Sequence, residues 1–130
     1  METPDLMATA NRLLAGDTFE STCPSRPVMS QVTTRWSLLI VAALITGPHR
    51  FAALRDKIGG ISEKMLSQNL KNLVRAGLVG RDVQPTVPPQ VTYTLTDLGM
   101  SLAEPLCALL GWFGNHTPDL LEAQSRYDAA

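Results

Sequence analysis

Gly59 and Gly60 split a run of helix-forming residues into two unequal pieces, and this break constrains the fold more than any other feature of the chain. Adjacent glycines supply the backbone freedom that a tight turn between two helices needs. Before them, Ala52 to Ile58 place Leu54 and Ile58 on the inner side of a short helix. After them, Leu66, Leu70 and Leu73 recur at helical spacing behind Ser62. Ser62 is expected to cap that second helix, and Ile61 and Leu66 are placed to form a hydrophobic staple across the cap. Gly77 then ends the helix as its C′ residue.

Beyond Gly77 the pattern changes period. Leu78 to Val83 and Val91 to Leu95 alternate and predict two paired strands, while Pro85, Pro88 and Pro89 stiffen a tip too long for a minimal hairpin turn. Short helix, glycine turn, longer helix and hairpin together make a winged helix-turn-helix. Charge is distributed to suit it. From Arg50 to Asp82 the basic residues are Arg50, Arg55, Lys57, Lys64, Lys71, Arg75 and Arg81, against Asp56, Glu63 and Asp82, a net of +4 from 7 − 3. The whole chain carries −1, so the remainder carries −5. Positive charge gathered around one helix of a mildly acidic chain suits a face that meets phosphates.

Residues placed at 100° intervals around the Ser62–Ala76 helix separate two faces. Leu66, Leu70 and Leu73 form a buried stripe with Val74 at its edge, and Lys64, Gln68, Lys71, Asn72 and Arg75 form the opposite arc. None of the second group is acidic, and Glu63 sits at the helix N-terminus, where an acid is favoured. A helix of this kind fits the major groove, where amides pair with adenine and basic groups address guanine or phosphate. Lys64, Met65 and Gln68, in the N-terminal half, are the base-reading candidates, and Ser62 at the cap is a further DNA-binding candidate. Lys71, Asn72 and Arg75 are expected on the backbone, with Arg50 and Gln90 adding contacts from the wing side. A solvated polar face with no ligand is the bland alternative, weakened here by the turn, the wing and the charge asymmetry.

Outside this unit the pattern is helical. Leu6, Met7, Ala10, Leu13 and Leu14 predict a short amphipathic helix closed by Gly16, followed by a linker or tight turn around Cys23-Pro24 and Pro27. A single longer helix is expected from Val28, carrying Val32, Trp36, Leu39, Ile40, Ala43 and Leu44 inward and stopping at Gly47-Pro48. Thr96 should cap a last long helix with Leu98, Leu102, Leu106, Leu109, Leu110 and Phe113, kinked at Pro105 and followed by a loose tail after Thr117-Pro118. The predicted class is therefore α+β, mostly helical: a winged helix-turn-helix with added N- and C-terminal helices. Its divisions are an N-terminal helix and leader over 1–22, the winged-helix domain over 23–114 and a C-terminal tail over 115–130.

A chain of 130 residues with 45% hydrophobic content is expected to form one folded domain. Its longest apolar run, Leu38 to Ile45, is too short to span a bilayer, and the acidic start at Glu2 and Asp5 does not resemble a secretory signal. With two distant cysteines and no Cys/His cluster, neither a disulfide framework nor a zinc site is expected. These features point to a cytoplasmic protein without membrane contact, metal or cofactor.

The details from Cys23 to about Gly111 resemble the HxlR-type regulators, a branch of the MarR-like winged-helix transcription factors. The matching pieces are Cys23-Pro24, Trp36 to Ile40 (WSLLI), Gly47 to Phe51 (GPHRF), Leu54 and Gly60 to Leu66 (GISEKML). Leu70, Leu73, Gly77 to Val79 (GLV), Pro85, Val87 to Pro89 (VPP), Val91, Tyr93, Leu95-Thr96 and Gly99 continue the match. The resemblance implies a homodimer that binds double-stranded DNA at an inverted repeat, with terminal helices forming the dimer interface. Leu6, Leu13, Leu106, Leu109, Trp112 and Phe113 are the interface candidates. Repression is the expected sense of regulation, although the resemblance does not fix it. Ala52 stands where the family has a small polar cap, and Gln90 where a basic residue is common, so a softer start to the short helix and a weaker wing grip are expected. Thr33, Thr34 and Arg35 replace a glycine-rich lead into Trp36.

Relatives use a cysteine at the Cys23 position to sense quinones, aldehydes or oxidants, so a small-molecule or oxidant effector is implied. Arg26, close in sequence, could favour a thiolate there. Against this stands a buried Cys23 that only packs under the long helix. Cys107 is expected in the core, His49 near the wing or a phosphate, and His116 in solvent. Two other function classes remain open: a winged-helix protein-interaction module without specific DNA binding, and a small thiol enzyme using Cys23. The polar arc opposes the first, and the second lacks a histidine or acid at an informative spacing. No enzymatic role is expected.

Overall fold

A computed structural model describes residues 5–15 and 19–130, as seven helices and three strands among the described residues. The helices are α1 (Leu6–Ala15), α2 (Ser25–Val32), α3 (Arg35–Ile45), α4 (Phe51–Lys57), α5 (Glu63–Arg75), α6 (Asp97–Ser101) and α7 (Ala103–Ala129). The strands are β1 (His49–Arg50), β2 (Val79–Gln84) and β3 (Gln90–Leu95), in the antiparallel order β1-β3-β2. This is the predicted α+β winged helix-turn-helix with helices added at both ends. Gly16 and the side chain of Leu13 lie outside the described residues.

One apolar core holds the unit together. Ile40, Val41, Ala43 and Leu44 of α3 meet Leu54 of α4, Leu66, Leu70 and Leu73 of α5, Leu78 and Val79 at the root of the wing, and Leu106 of α7. Full burial of each large aliphatic side chain is worth roughly 1.5–3 kcal/mol. The α3 helix is apolar enough to be surrounded, whereas α5 is strongly two-faced and must lie at the surface.

The helix predicted from Val28 is two helices meeting at a bend of 73°. α2 already begins at Ser25, where a linker was expected, and ends at Val32. Thr34 leaves the helical conformation (φ −66°, ψ 153°), and its hydroxyl accepts the Ser37 amide at 3.0 Å, giving α3 a fresh N-cap. The bend also shifts the inward face: Ser37 is buried, while Leu39, expected inside, is exposed.

At the other end, the break falls at Leu102, between α6 and α7, rather than at Pro105. Pro105 occupies the first turn of α7, where its missing amide has no intrahelical acceptor to serve. The tail expected to be loose is helical as far as Ala129, because Leu120, Leu121, Glu122, Ala123, Gln124 and Arg126 are strong helix formers. Pro118 lies inside α7 and removes only one donor.

Thr96 joins three elements. Its hydroxyl accepts from the Gly99 amide at 3.0 Å, capping α6, and donates to the Gly77 carbonyl at 2.6 Å, where α5 ends. Its amide also donates to the Leu78 carbonyl at 3.1 Å. Gly99 is buried in this joint, and a Cβ there would collide with the Leu78 carbonyl. Gly99→Ala is therefore expected to lower the unfolding free energy by about 1–3 kcal/mol in urea titration.

Candidate nucleic-acid interface

The candidate interface is built around α5. Ser62, extended at φ −78° and ψ 156°, accepts the Met65 amide on its side chain at 3.1 Å. At the far end Gly77 adopts φ +78°, and the Gly77 and Leu78 amides donate to Val74 and Leu73 carbonyls at 3.0 and 3.1 Å. This is a Schellman closure, which needs the left-handed residue that glycine supplies. Gly60, at φ +83°, makes the turn before the helix. Both ends of α5 are thus fixed, and its inner stripe of Leu66, Leu70 and Leu73 is buried.

The outward face carries Lys64, Gln68, Lys71 and Arg75, all exposed, with Ser62 and Met65 at its N-terminal end. Asn72, placed with this group from sequence, is half-buried at the margin. Asn69 is buried on the opposite side, with its own hydrogen-bond partners.

The seven basic residues of the segment divide into two sets. Arg55 reaches Glu63 at 2.6 Å and Asp56 at 3.3 Å. The Glu63 hydrogen bond, followed by that to Asp56, raises the Arg55 guanidinium further above its ordinary value. Its charge is locally answered, and the pair fastens α4 to the first turn of α5. Lys57 donates to the Thr46 hydroxyl at 3.2 Å and lies 3.3 Å from His49 Nε2, whose Nδ1 is 2.8 Å from the Gly47 carbonyl. Arg50 donates to Gln90 Oε1 at 2.6 Å. Lys64, Lys71, Arg75 and Arg81 have neither an ion pair nor a side-chain hydrogen bond among the described residues. Of the seven, only Arg55 is neutralised by carboxylates; Arg50 and Lys57 keep their charge but are held by neutral partners, and the side chains left without any partner among the described residues belong to α5 and the adjoining strand.

Arg81 joins this face through the register of the wing. It pairs with Tyr93 across β2 and β3, and both line a cavity of about 290 Å³ against α5 with Ser67, Leu70, Lys71 and Val74. Sequence counting included Arg81 in the charge but did not assign it to the interface. Its signal was the pairing frame of the hairpin, which places residue 81 beside the helix rather than at the tip. Arg50 and Gln90, by contrast, come together on neighbouring strands, away from that cavity. The wing does not show the predicted inside-outside alternation. Burial declines along β2 from Val79 to an exposed second half, because only its root touches the core.

The other candidates separate by exposure. Leu6, Leu109, Trp112 and Phe113 are exposed, whereas Leu106, expected with them, is buried in its own core and cannot be offered to a second chain. Cys23 is buried at 7% exposure, and its Sγ lies 3.0 Å from the Ser25 hydroxyl. Cys107, expected in the core, is exposed because it lies on the outer side of α7. His116 is partly covered and also held: its ring stacks on Trp112 at 4.5 Å, and Nδ1 is 2.8 Å from the Trp112 carbonyl. Ala52 lies in the first turn of α4, not at the cap, which is Arg50, whose side chain makes no capping bond. Among the described residues no single helix is long and apolar enough to cross a membrane.

Residues 31–120 match the family described as HxlR-like helix-turn-helix. The chain is 45% identical over 115 residues to YtfH of Escherichia coli K12, an uncharacterised HTH-type transcriptional regulator, covering 88% of this chain and 91% of that one. The solved structure of YtfH from Salmonella typhimurium, a transcriptional regulator, matches with a TM-score of 0.79 and 44% identity, covering 85% and 98% of the two chains. The redox regulator HypR, solved in its reduced form, matches with a TM-score of 0.68 and 29% identity over 77% of this chain and 98% of its own.

Ser62 offers a test of how α5 is held. Ser62→Ala is expected to cost about 1 kcal/mol of stability, measured by chemical unfolding, while Ser62→Asp keeps the cap and the stability. The aspartate nevertheless brings a negative charge to the face that Lys64 and Lys71 make positive.

Proposed function

The chain belongs to the HxlR-like helix-turn-helix family of transcription regulators, and from that premise we propose that it represses transcription as a homodimer bound to an inverted repeat in double-stranded DNA. The observation that carries this is the outward face of α5, where Lys64, Gln68, Lys71 and Arg75 are exposed and Arg81 extends the positive charge onto the wing. Lys64, Met65 and Gln68 read base edges from the N-terminal half of the helix. Lys71, Arg75 and Arg81 hold phosphates, and Asn72 supports them from the margin. Arg50 and Gln90 act as one hydrogen-bonded unit on the other side of the sheet, adding a backbone contact at the wing.

The second chain covers apolar surface that this one leaves exposed. Leu6 and Met7 on α1 and Leu109, Trp112, Phe113, Leu120 and Leu121 on α7 are the surfaces in question. A helix of 27 residues extends about 40 Å, long enough to serve as an arm between two reading heads.

Cys23 is the sensing residue in this proposal, responding to oxidants, quinones or aldehydes. The likeness to HypR, named a redox regulator, supports it, and the thiol stands immediately before α2, a helix that packs against α5. Oxidant is expected to weaken DNA binding by the wild-type protein and to leave Cys23→Ser unaffected, as read by electrophoretic mobility shift. An oxidant response that survives in Cys23→Ser removes that role.

Selection from a random duplex pool under reducing conditions tests the DNA function. An enriched inverted repeat with half-sites separated by about one helical turn or a multiple of it is expected. Retention of DNA with no enriched motif would leave non-specific binding, and no retention would favour a protein partner. The double variant Lys64→Glu/Lys71→Glu should lose the enriched duplex while unfolding within about 0.5 kcal/mol of wild type. Neutralising one phosphate contact, as in Lys71→Gln, should lower the slope of log affinity against log salt by about one.

A further inference from the structure

Asn69 is the one polar side chain on the inner face of α5, at 3% exposure among Leu66, Leu70 and Leu73. An amide removed from water is costly unless its hydrogen bonds are replaced, and here they are. Oδ1 lies 2.8 Å from the Thr34 hydroxyl, which donates to it, and 2.9 Å from the Ser37 hydroxyl. Nδ2 donates to the Met65 carbonyl, one turn back in α5, at 2.7 Å. Ser37 is fully buried and also lies 3.2 Å from the Gln31 carbonyl at the end of α2. Its single hydroxyl proton serves one of these two acceptors at a time. Thr34 in turn caps α3 through the Ser37 amide. One amide thus ties the outward-facing helix to the bend between α2 and α3.

Leucines alone would not define this contact so sharply. Apolar packing is non-directional, so Leu66, Leu70 and Leu73 fix which face of α5 turns inward but tolerate a small roll about its axis. Hydrogen bonds impose a distance and an angle together. A roll of about 20° around the helix axis would move outer side-chain tips by about 2 Å, given a helix radius of about 5–6 Å with side chains. That displacement would break the bonds of Asn69. It would also carry Lys64, Met65 and Gln68 beyond the tolerance of base contacts, which is about 0.5 Å. Phosphate contacts by Lys71, Arg75 and Arg81 rest on charge and are far more forgiving.

We propose that Asn69, with Thr34 and Ser37, is a positioning residue that sets the roll of α5 and thereby the sequence discrimination of the protein. It makes no DNA contact itself. The proposal rests on the DNA-binding function, and it goes beyond that function by separating specificity from affinity within one helix.

The test compares affinity for the selected duplex with affinity for a scrambled duplex of the same length and salt. Wild type must first distinguish the two; if it does not, the sequence-specific DNA-binding function itself fails before any variant is measured. Asn69→Leu is expected to lower the ratio of affinities by about tenfold, through loss of tight binding to the selected duplex while scrambled binding holds. Ser37→Ala, which deletes one hydroxyl and keeps the Thr34 cap, should lower the ratio in the same direction if Asn69→Leu proves too unstable to assay. Thr34→Ser retains the hydroxyl and should keep the wild-type ratio. A purely structural role would lower the melting temperature of Asn69→Leu and Ser37→Ala with the ratio unchanged, and that result overturns the proposal. So would an equal loss of affinity for both duplexes.

Discussion

The burial of one leucine stripe organises the rest of the molecule. Leu66, Leu70 and Leu73 are essentially inaccessible beneath α5, packed in the same core as Ile40, Val41 and Leu44 of α3. Once that stripe is inside, helical geometry sends Lys64, Gln68, Lys71 and Arg75 outward with no further instruction. The neighbouring elements then secure the ends. Ser62 and the Arg55–Glu63 pair hold the first turn, and Gly77 closes the last. The polar surface is therefore a by-product of an apolar contact, and a sequence change beneath the helix can alter what the helix presents above.

Charge is sorted as well as gathered. Arg55, Lys57 and Arg50 spend their hydrogen bonds on Glu63, on Thr46 and His49, and on Gln90. They fasten the frame. Lys64, Lys71, Arg75 and Arg81 have no side-chain partner, charged or neutral, among the described residues, and their tips stay available to a ligand. A bare count of basic residues cannot make this distinction, because it depends on which carboxylates and hydroxyls fold back to meet them.

Much of the winged unit was legible because its signals are local. Ser62 caps at a distance of three residues, Gly60 and Gly77 adopt left-handed backbone, and the two faces of α5 follow from its period. What was hidden depends on distant partners. Asn69 finds Thr34 and Ser37, separated from it by 35 and 32 residues, so nothing local in the sequence marks it. Thr34 was read as part of a continuous helix, since a capping hydroxyl and a helical threonine look alike in sequence. Arg81 needed the strand register. Pro105 and Pro118 were weighted too heavily as breakers: one sits where a helix tolerates proline, and the other is outweighed by good helix formers around it. Cys107 and Leu106 are adjacent, and only the packing of α7 shows that the leucine turns inward and the cysteine outward.

The joint at Thr96 has a bearing on how chains of this kind can differ in length. Its hydroxyl and amide tie the end of β3 to Gly77 and Leu78, so the hairpin begins and ends at the same point. Whatever lies between is a closed excursion, paired from Val79 with Leu95 out to Gln84 with Gln90. Residues can be added or removed at its tip without displacing α5 on one side or α6 and α7 on the other. A single residue gained at the joint itself would shift all three. A change in the length of the wing is thereby confined to the turn holding Pro85, Val87, Pro88 and Pro89, while the frame behind it keeps one geometry.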